Sequence, residues 1–405
     1  MKRIILPILC LTALTACQQR GQSHVFVIVS NNTQHDAMNV VDGVPLQALL
    51  DSLGAPADAT IRLTDEQGQP VCTQIFDNGT EELLLFESCT LAGGESRYTA
   101  TIASSQDAAV ADSSAVYVGL FPKRKDDLTW ENESSIWRAY GPTLQASGER
   151  AFGYDIWCKS TKRSVTEERY YKFFRGYELA DSLHALGLDA AADSTVHAMT
   201  FHIDHGDGMD CYAVGPTLGG GTAALLSPEG GIIYPWAWRS HQILANGPLL
   251  AAFKLDYDTL LVGNDTVFEH RTIVTQKGTR FNIINVTYDG LSSPHDIAVG
   301  IVYHDWPDSV RLDDKGRYIA YSDPSDQPGN DPGRVLVGAY IPTLQRTALE
   351  QGHLLGIAHY TPGDTFTYYM GSGWSKGDCP SLEQMCSELQ QLSEAPRSTR
   401  IMVTR

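Results

Sequence analysis

The chain has 405 residues, 42% of them hydrophobic, enough for a real core and, at roughly 100–200 residues per domain, for two domains. Its 30 Lys+Arg stand against 48 Asp+Glu, a formal charge of −18. That balance excludes nucleic acid as the partner, because phosphate binding needs a basic surface, and it excludes a membrane docked by charge.

The chain opens with the basic Met1-Lys2-Arg3 and an apolar run, Ile4 to Leu14, that is too short for a bilayer, which needs about 20 residues. Leu14-Thr15-Ala16-Cys17 follows and resembles a bacterial lipobox, in which the signal is cut before the cysteine and the sulfur carries lipid. Residues 1–16 are therefore expected to be a lipoprotein signal peptide, Cys17 the lipidation site and 17–23 a polar tether. Cleavage removes Lys2 and Arg3 and takes the charge from −18 to −20. No later apolar run is long enough to span a bilayer, so membrane contact is expected through the lipid anchor alone. The tether lacks an acidic run, which points to an outer-membrane anchor facing the periplasm.

Residues 24–103 read as short strands: His24 to Ser30, Ile61 to Thr64, Val71 to Phe76, Leu83 to Glu87 and Arg97 to Ile102. Turn-forming runs such as Asp77-Asn78-Gly79-Thr80 separate them, which predicts a small antiparallel sandwich. The small polar run Ser104 to Ser114 reads as a linker, so the first domain and its linker are placed at 24–114. The second domain, 115–405, begins with a strand at Val116 to Phe121. Ser164-Val165-Thr166-Glu167 has the form of a capping box and predicts a helix through Phe174. Ala180 to Leu188 predicts another, and Ser381 to Leu392 a third. Strands are predicted at 196–203, 249–257, 260–262, 267–276, 280–288, 297–303, 318–321, 335–341, 354–360 and 366–370. Phe268 to Val274 and Phe281 to Thr287 alternate apolar and polar residues, the pattern of sheets with one wet face. The fold class is mostly β: a small N-terminal β-sandwich followed by a large two-sheet sandwich with a few helices.

Apart from Cys10 and Cys17, six cysteines remain: Cys72, Cys89, Cys158, Cys211, Cys379 and Cys386. No Cys-x-x-Cys occurs, which argues against a zinc ribbon. Pairing of Cys72 with Cys89 across the Asp77-Asn78-Gly79 hairpin, Cys379 with Cys386, and Cys158 with Cys211 stands open beside free buried thiols.

No hydrolase elbow, zinc-protease helix, phosphate loop or dinucleotide fingerprint is present. Three clusters carry the candidate chemistry. His202-Ile203-Asp204-His205-Gly206-Asp207-Gly208-Met209-Asp210 could supply a His–Asp pair, with His205 as acid or base and Asp207 orienting it, or a metal site, or only a polar turn. Trp130 to Tyr140 holds Glu131, Asn132, Trp137 and Arg138, types suited to stacking on sugar rings and binding hydroxyls or a uronate, with Tyr140 as a candidate acid. Tyr234 to His241 reads as a loop-borne extended segment that places Trp236 and Trp238 on one face, with Arg239 and His241, a second candidate acid, on the other. No metal ligand set is assigned, and no cofactor is expected.

Several motifs occur in one order: the lipobox, the Trp130-Glu131-Asn132 run, Gly153-Tyr154-Asp155-Ile156-Trp157-Cys158, His205 to Asp210, Gly215 to Gly221, and Gly371-Ser372-Gly373-Trp374-Ser375-Lys376. Together they resemble the family known as domain of unknown function 4861 over nearly the whole mature chain. The resemblance implies a large domain with the galactose-mutarotase-like supersandwich fold. It also implies a lipoprotein of polysaccharide utilisation, active beside enzymes for pectin-like, uronate-rich glycans. It brings no established catalytic residues.

The expected function is a carbohydrate-active lipoprotein that processes acidic oligosaccharides by lyase or glycoside-cleaving chemistry with a histidine acid/base. The alternative is a non-catalytic glycan-binding lipoprotein. A monomer with an oligosaccharide as partner is expected. The three clusters are expected to line one pocket, and at least two of Arg138, Arg169, Arg175 and Arg239 to converge on it, because uronate binding by so acidic a chain needs a local cationic exception.

Overall fold

In the computed structural model, residues 24–104, 116–325, 331–394 and 397–402 are described. The expected signal peptide, Cys17, the tether, and the expected linker beyond Ser104 lie outside the described residues. In chain order, β1 (His24–Ser30), β2 (Ala37–Pro45), α1 (Leu46–Leu53), β3 (Ile61–Thr64), β4 (Thr73–Asp77), β5 (Glu82–Thr90) and β6 (Glu95–Ile102) come first. Next are β7 (Tyr117–Phe121), β8 (Asp127–Glu131), β9 (Ser135–Ala139), α2 (Pro142–Ala146), β10 (Asp155–Cys158), α3 (Thr166–His184) and α4 (Asp189–Met199). The large sandwich follows with β11 (Gly220–Leu226), β12 (Ile232–Ile233), β13 (Trp238–Asn246), β14 (Leu250–Tyr257), β15 (Leu260–Val262), β16 (Asp265–Gln276) and β17 (Phe281–Asp289). It continues with β18 (His295–Val302), β19 (Val310–Asp313), β20 (Tyr318–Asp323), β21 (Val335–Tyr340), β22 (Leu344–Glu350), β23 (His353–Tyr360) and β24 (Phe366–Trp374). The chain ends with α5 (Leu382–Gln391) and β25 (Ser398–Met402).

The protein is mostly β, with antiparallel sheets throughout the described residues. The first domain packs the sheet β25-β1-β6-β3 against β2-β5-β4 and α1, around Val27, Leu49, Leu63, Phe86 and Ala100. β25 pairs with β1, Phe26 opposite Met402, so the last strand lies in the first domain although the division at 114/115 assigns it to the second. The long sheet runs β13-β14-β16-β17-β24-β21-β20-β19, with β15 paired to β16. Its inner face, including Phe253, Ile284, Val337 and Met370, shares one core with β11 and β18 of the sheet β12-β11-β18-β23-β22, and with Trp130, Trp137 and Ile156 of the sheet β10-β9-β8-β7. A bridge between Tyr154 and Gly219 links those two smaller sheets into one layer. α5 and the first domain cover parts of the outer face of the long sheet. The strand alternation read from the sequence is that of this layered packing, with one side of each strand on a core.

Several local expectations give way to tertiary context. The stretch 196–203 is the end of α4 and a turn, not a strand. Val196, Ala198 and Thr200 alternate, but Ala190-Ala191-Ala192 before them favours helix, which runs on to Met199. The helix at 180–188 is the continuation of α3. The capping box does not form. Val165 occupies the cap without a side-chain hydrogen bond, and Glu131 from β8 accepts the N–H groups of Val165 and Thr166 instead. The tract around Trp238, read as loop, is strand β13 at the edge of the long sheet. The six described cysteines are all free thiols. Thr73 opposes Phe86 in the β4–β5 hairpin, which puts Cys72 nearest Glu87 and leaves Cys89 exposed, so the two do not face each other. Among the described residues no helix is long and apolar enough to cross a membrane.

His353, at the start of β23, is buried with Nδ1 on the Gln351 carbonyl (2.7 Å) and Nε2 accepting the Leu218 N–H (3.0 Å). This geometry requires a neutral ring, and burial lowers its pKa. The unfolded chain therefore binds the proton more readily. Stability should be fully present above the ordinary histidine pKa of about 6.5 and fall as pH drops from there towards the lower folded value. Urea unfolding of the wild type and of His353→Gln across pH 5–8 should show a shallower pH slope for the variant.

Candidate functional site

The sheet β10-β9-β8-β7 turns Trp130 and Trp137 towards the sandwich core, their rings 6.3 Å apart and nearly parallel. Alternation then sends Asp127, Glu131, Arg138, Asp155 and Trp157 to the opposite face, where α3 and Phe201 cover it. Glu131 is wholly buried there. Its carboxylate accepts from the Lys159 Nζ (3.0 Å), from the backbone N–H groups that open α3, and from the Ser164 hydroxyl. A carboxylate at a helix N-terminus answers both the unpaired N–H groups and the helix dipole. Burial pulls the Lys159 pKa down, against the raising effect of Glu131.

Beside this pair, the buried Arg138 binds three aspartates: Asp155, Asp127 (3.4 Å) and Asp210 (3.6 Å). Its guanidinium also stacks over Trp157 (5.2 Å) and Tyr140 (4.9 Å). Tyr170 donates to Asp127 (3.0 Å), Trp157 donates to Asp155 (3.0 Å), and His202 lies 3.5 Å from Asp210. Burial works against the charge on Arg138, but Asp155, Tyr140, Asp127 and Asp210 together raise its pKa further. Burial raises the Asp127 pKa, with Arg138 opposing.

The three sequence clusters meet only in pairs. Segments 130–140 and 202–212 join through Arg138 and Asp210. Segments 130–140 and 234–241 join where Tyr140 and Trp236 line a cavity of about 10 Å³, too small for a sugar. Five expected binding residues are out of a ligand's reach. Glu131 holds the α3 N-terminus, and Asn132 closes the β8–β9 turn by accepting the Ser134 N–H (2.9 Å) while donating to the Thr279 carbonyl (3.0 Å). Trp137 and Trp238 are core side chains. Arg138 is spent on its aspartates, and Arg169 on the carbonyls of Cys158 and Asp207. Asp207 pairs with Arg169, not with His205, whose Nε2 lies 3.0 Å from the Thr200 carbonyl on the surface. Gly208 follows with φ +107°, where a Cβ would stand 2.1 Å from the Cys158 carbonyl oxygen; it permits a close backbone approach and does not present a catalytic turn. Tyr140 is nearly enclosed, and burial raises its pKa. Trp236 (54% exposed) and Arg239 stand at the surface, and His241 packs 5.3 Å from the Trp238 ring.

The residues that do converge on an open cavity come from elsewhere. A cavity of about 530 Å³ lies at the rim where β18 and β20 end and β21 begins, lined by His304, Trp306, Ser325, Asp331 and Arg334 among others. His304 Nδ1 is 2.6 Å from the buried carboxylate of Asp323. Trp306 is 51% exposed, and the Arg334 guanidinium lies 4.9 Å from its ring centre. Arg334 is held by the Ser309 and Ser322 hydroxyls (2.9 Å each) and the Ser322 carbonyl, and among the described residues it pairs with no carboxylate. Tyr212, two residues beyond Asp210, stands behind with its ring 6.3 Å from His304. Burial raises its pKa, followed by the charges of Asp323 and Asp155. The signal for this site was the run His304-Asp305-Trp306-Pro307-Asp308 between two strands; the aromatic-rich clusters upstream drew the sequence reading away from it. Among the described residues no group of three or more His, Cys, Asp or Glu is placed to hold a metal ion.

Residues 29–396 match the family described as "Domain of unknown function (DUF4861)". The chain belongs to that family. Another protein similar to this DUF4861 chain is "Uncharacterized protein P7" of Formosa agariphila, 24% identical over 333 residues, 78% of this chain and 76% of that one. Two solved structures align with 94% of the chain: an alpha-mannosidase from Enterococcus faecalis V583 (8% identity, TM-score 0.48) and a protein in the Glycosyl Hydrolase Family 38 from Enterococcus faecalis (9%, 0.47). This chain spans 46% and 47% of their lengths.

Removing the Glu131 carboxylate should unfold more than a surface change does, because Lys159 is left buried and unpaired with the α3 N–H groups unanswered. Glu131→Ala is expected to cost about 3–5 kcal/mol, read as a lower midpoint in urea unfolding. Surface His205→Ala should leave that midpoint unchanged.

Proposed function

We propose that the protein binds an acidic, uronate-containing oligosaccharide in the His304–Trp306–Arg334 cavity and cleaves it, with His304 as the proton-transfer group. The observation that carries this reading is the His304–Asp323 contact of 2.6 Å on the wall of a cavity that also presents Trp306 and Arg334. Each group has a separate role. Trp306 offers an apolar face for a pyranose ring. Arg334, held in place through Nε and Nη2 by hydroxyls and a carbonyl, keeps its charge for a ligand carboxylate and meets it with the Nη1 donors. Asp323 contacts the imidazole at Nδ1 and orients it for proton transfer.

In a β-elimination, His304 takes the proton from C5 of the uronate, the freed electron pair forms the C4–C5 double bond, and the C4–oxygen bond breaks with the leaving oxygen taking a proton from water or back from the His304 imidazolium; Arg334 steadies the charge developing on the carboxylate. A binder needs Trp306 and Arg334 but not an imidazole oriented by a buried carboxylate; that contact is what favours an enzyme. We also propose that Cys17 carries the lipid that holds the protein at the outer membrane, facing the periplasm.

The test is incubation of the purified protein with pectin-derived oligogalacturonides, followed by ultraviolet absorbance for the unsaturated uronate and by reducing-end assay. Elimination gives both signals and hydrolysis only the second. His304→Ala should lower turnover by about 10²-fold or more and leave affinity within a few-fold. Trp306→Ala and Arg334→Ala should each weaken binding about tenfold. Binding without either product signal would replace the enzyme reading with the glycan-binding one.

A further inference from the structure

A second cavity, of about 460 Å³, lies between the first domain and the sandwich, lined by residues that include Met38, Glu133, Lys159, Lys162, Arg280 and Lys376. One ion pair joins its wall to that of the His304 cavity. Lys376, on its wall, reaches the Asp331 carboxylate at 3.2 Å, and Asp331 is on the wall of the other. Ser375, next to Lys376, accepts the backbone N–H of Arg334 at 2.7 Å, so the two chain segments that carry the cationic groups of the two cavities lie side by side.

The second cavity gathers Lys159, Lys162, Arg280 and Lys376 on its wall in a chain that is acidic overall. Its carboxylates each have a partner within the protein. Asp378 and Glu388 bind Arg280, at 3.0 and 2.6 Å, and Glu133 accepts the Gly278 N–H at 2.9 Å. Lys159 is neutralised by the buried Glu131. That leaves Lys162, exposed and paired with no described carboxylate, and Lys376, whose only described carboxylate partner is the highly exposed Asp331. A lysine ammonium has three donors, so Lys376 can keep Asp331 and still accept a ligand.

We infer that the second cavity is a further binding site for the same glycan, in which Lys162 and Lys376 take the carboxylate of a uronate some residues away from the one at Arg334. This rests on the reading of the His304 cavity as a uronate site and adds to it a length and a charge pattern: a polyuronate chain long enough to cross the Lys376–Asp331 pair. A single sugar fills only one cavity, and a neutral chain leaves both cationic groups unanswered.

Calorimetry with galacturonic acid, a tetragalacturonide and an uncharged tetrasaccharide tests it, on the wild type, Arg334→Ala and the double variant Lys162→Ala, Lys376→Ala. Both lysines are solvent-accessible, so the double variant should fold as the wild type does. It is expected to lose about tenfold or more in affinity for the tetramer and nothing for the monosaccharide, with a lower salt dependence. A Lys162→Arg, Lys376→Arg pair should restore the tetramer. Arg334→Ala should weaken both acidic ligands. Tetramer affinity unchanged in the double variant overturns the second site while leaving the first intact. Failure of the wild type to bind any uronate overturns both.

Discussion

One guanidinium holds the centre of this molecule together. Arg138, on β9, is tied to β8 by Asp127, to β10 by Asp155 and to the segment after α4 by Asp210. Three carboxylates around one cation leave the cluster with negative charge in excess, and burial of such groups is costly unless their partners stay in place. Trp157 and Tyr170 supply donors that spread that charge. The cluster sets where the chain goes next: two residues past Asp210 stands Tyr212, at the back of the His304 cavity. The polar layer that the sequence offers as a ligand site is a structural joint beside the candidate cavity.

The sandwich explains why the cavity lies at a rim. Strand interiors are committed to cores on one side or both, so a ligand is met by loops at strand ends. His304 follows β18, Asp323 closes β20 and Arg334 leads into β21, three ends brought together by antiparallel pairing. Val335 opposes Trp374, which sets Ser375 and Lys376 beside Arg334. The register of two neighbouring strands thus places both the guanidinium and the ammonium that follows it.

Charge is distributed by the same geometry. A chain at −18 repels anions at a distance, but screening limits that reach to about 8–10 Å. Within that distance the local pairing decides. Most of the cations near the predicted clusters are consumed: Arg138 by its aspartates, Arg169 by carbonyls and Lys159 by Glu131. Among the described residues Arg334 is anchored by neutral oxygens alone, which hold its position without cancelling its charge.

The sequence by itself determined the mostly β class, the positions of most strands and a helix over Ser381 to Leu392, because these depend on local alternation and local hydrogen bonding. The family is legible too, since its motifs stand in linear order. The residues of the candidate site were not, for a physical reason. Glu131, Asn132, Trp137 and Arg138 have the side chains of a sugar site, but whether a carboxylate or an indole meets solvent depends on which layer covers its face. α3 covers one face of β8–β10 and the sandwich covers the other. His304 and Asp323 are 19 residues apart and Trp306 and Arg334 are 28 apart; only the pairing of β20 with β21 and the turn after β18 brings them to one wall. Tertiary structure alone decided the site, because burial is a property of the neighbours a residue acquires and not of its own chemistry.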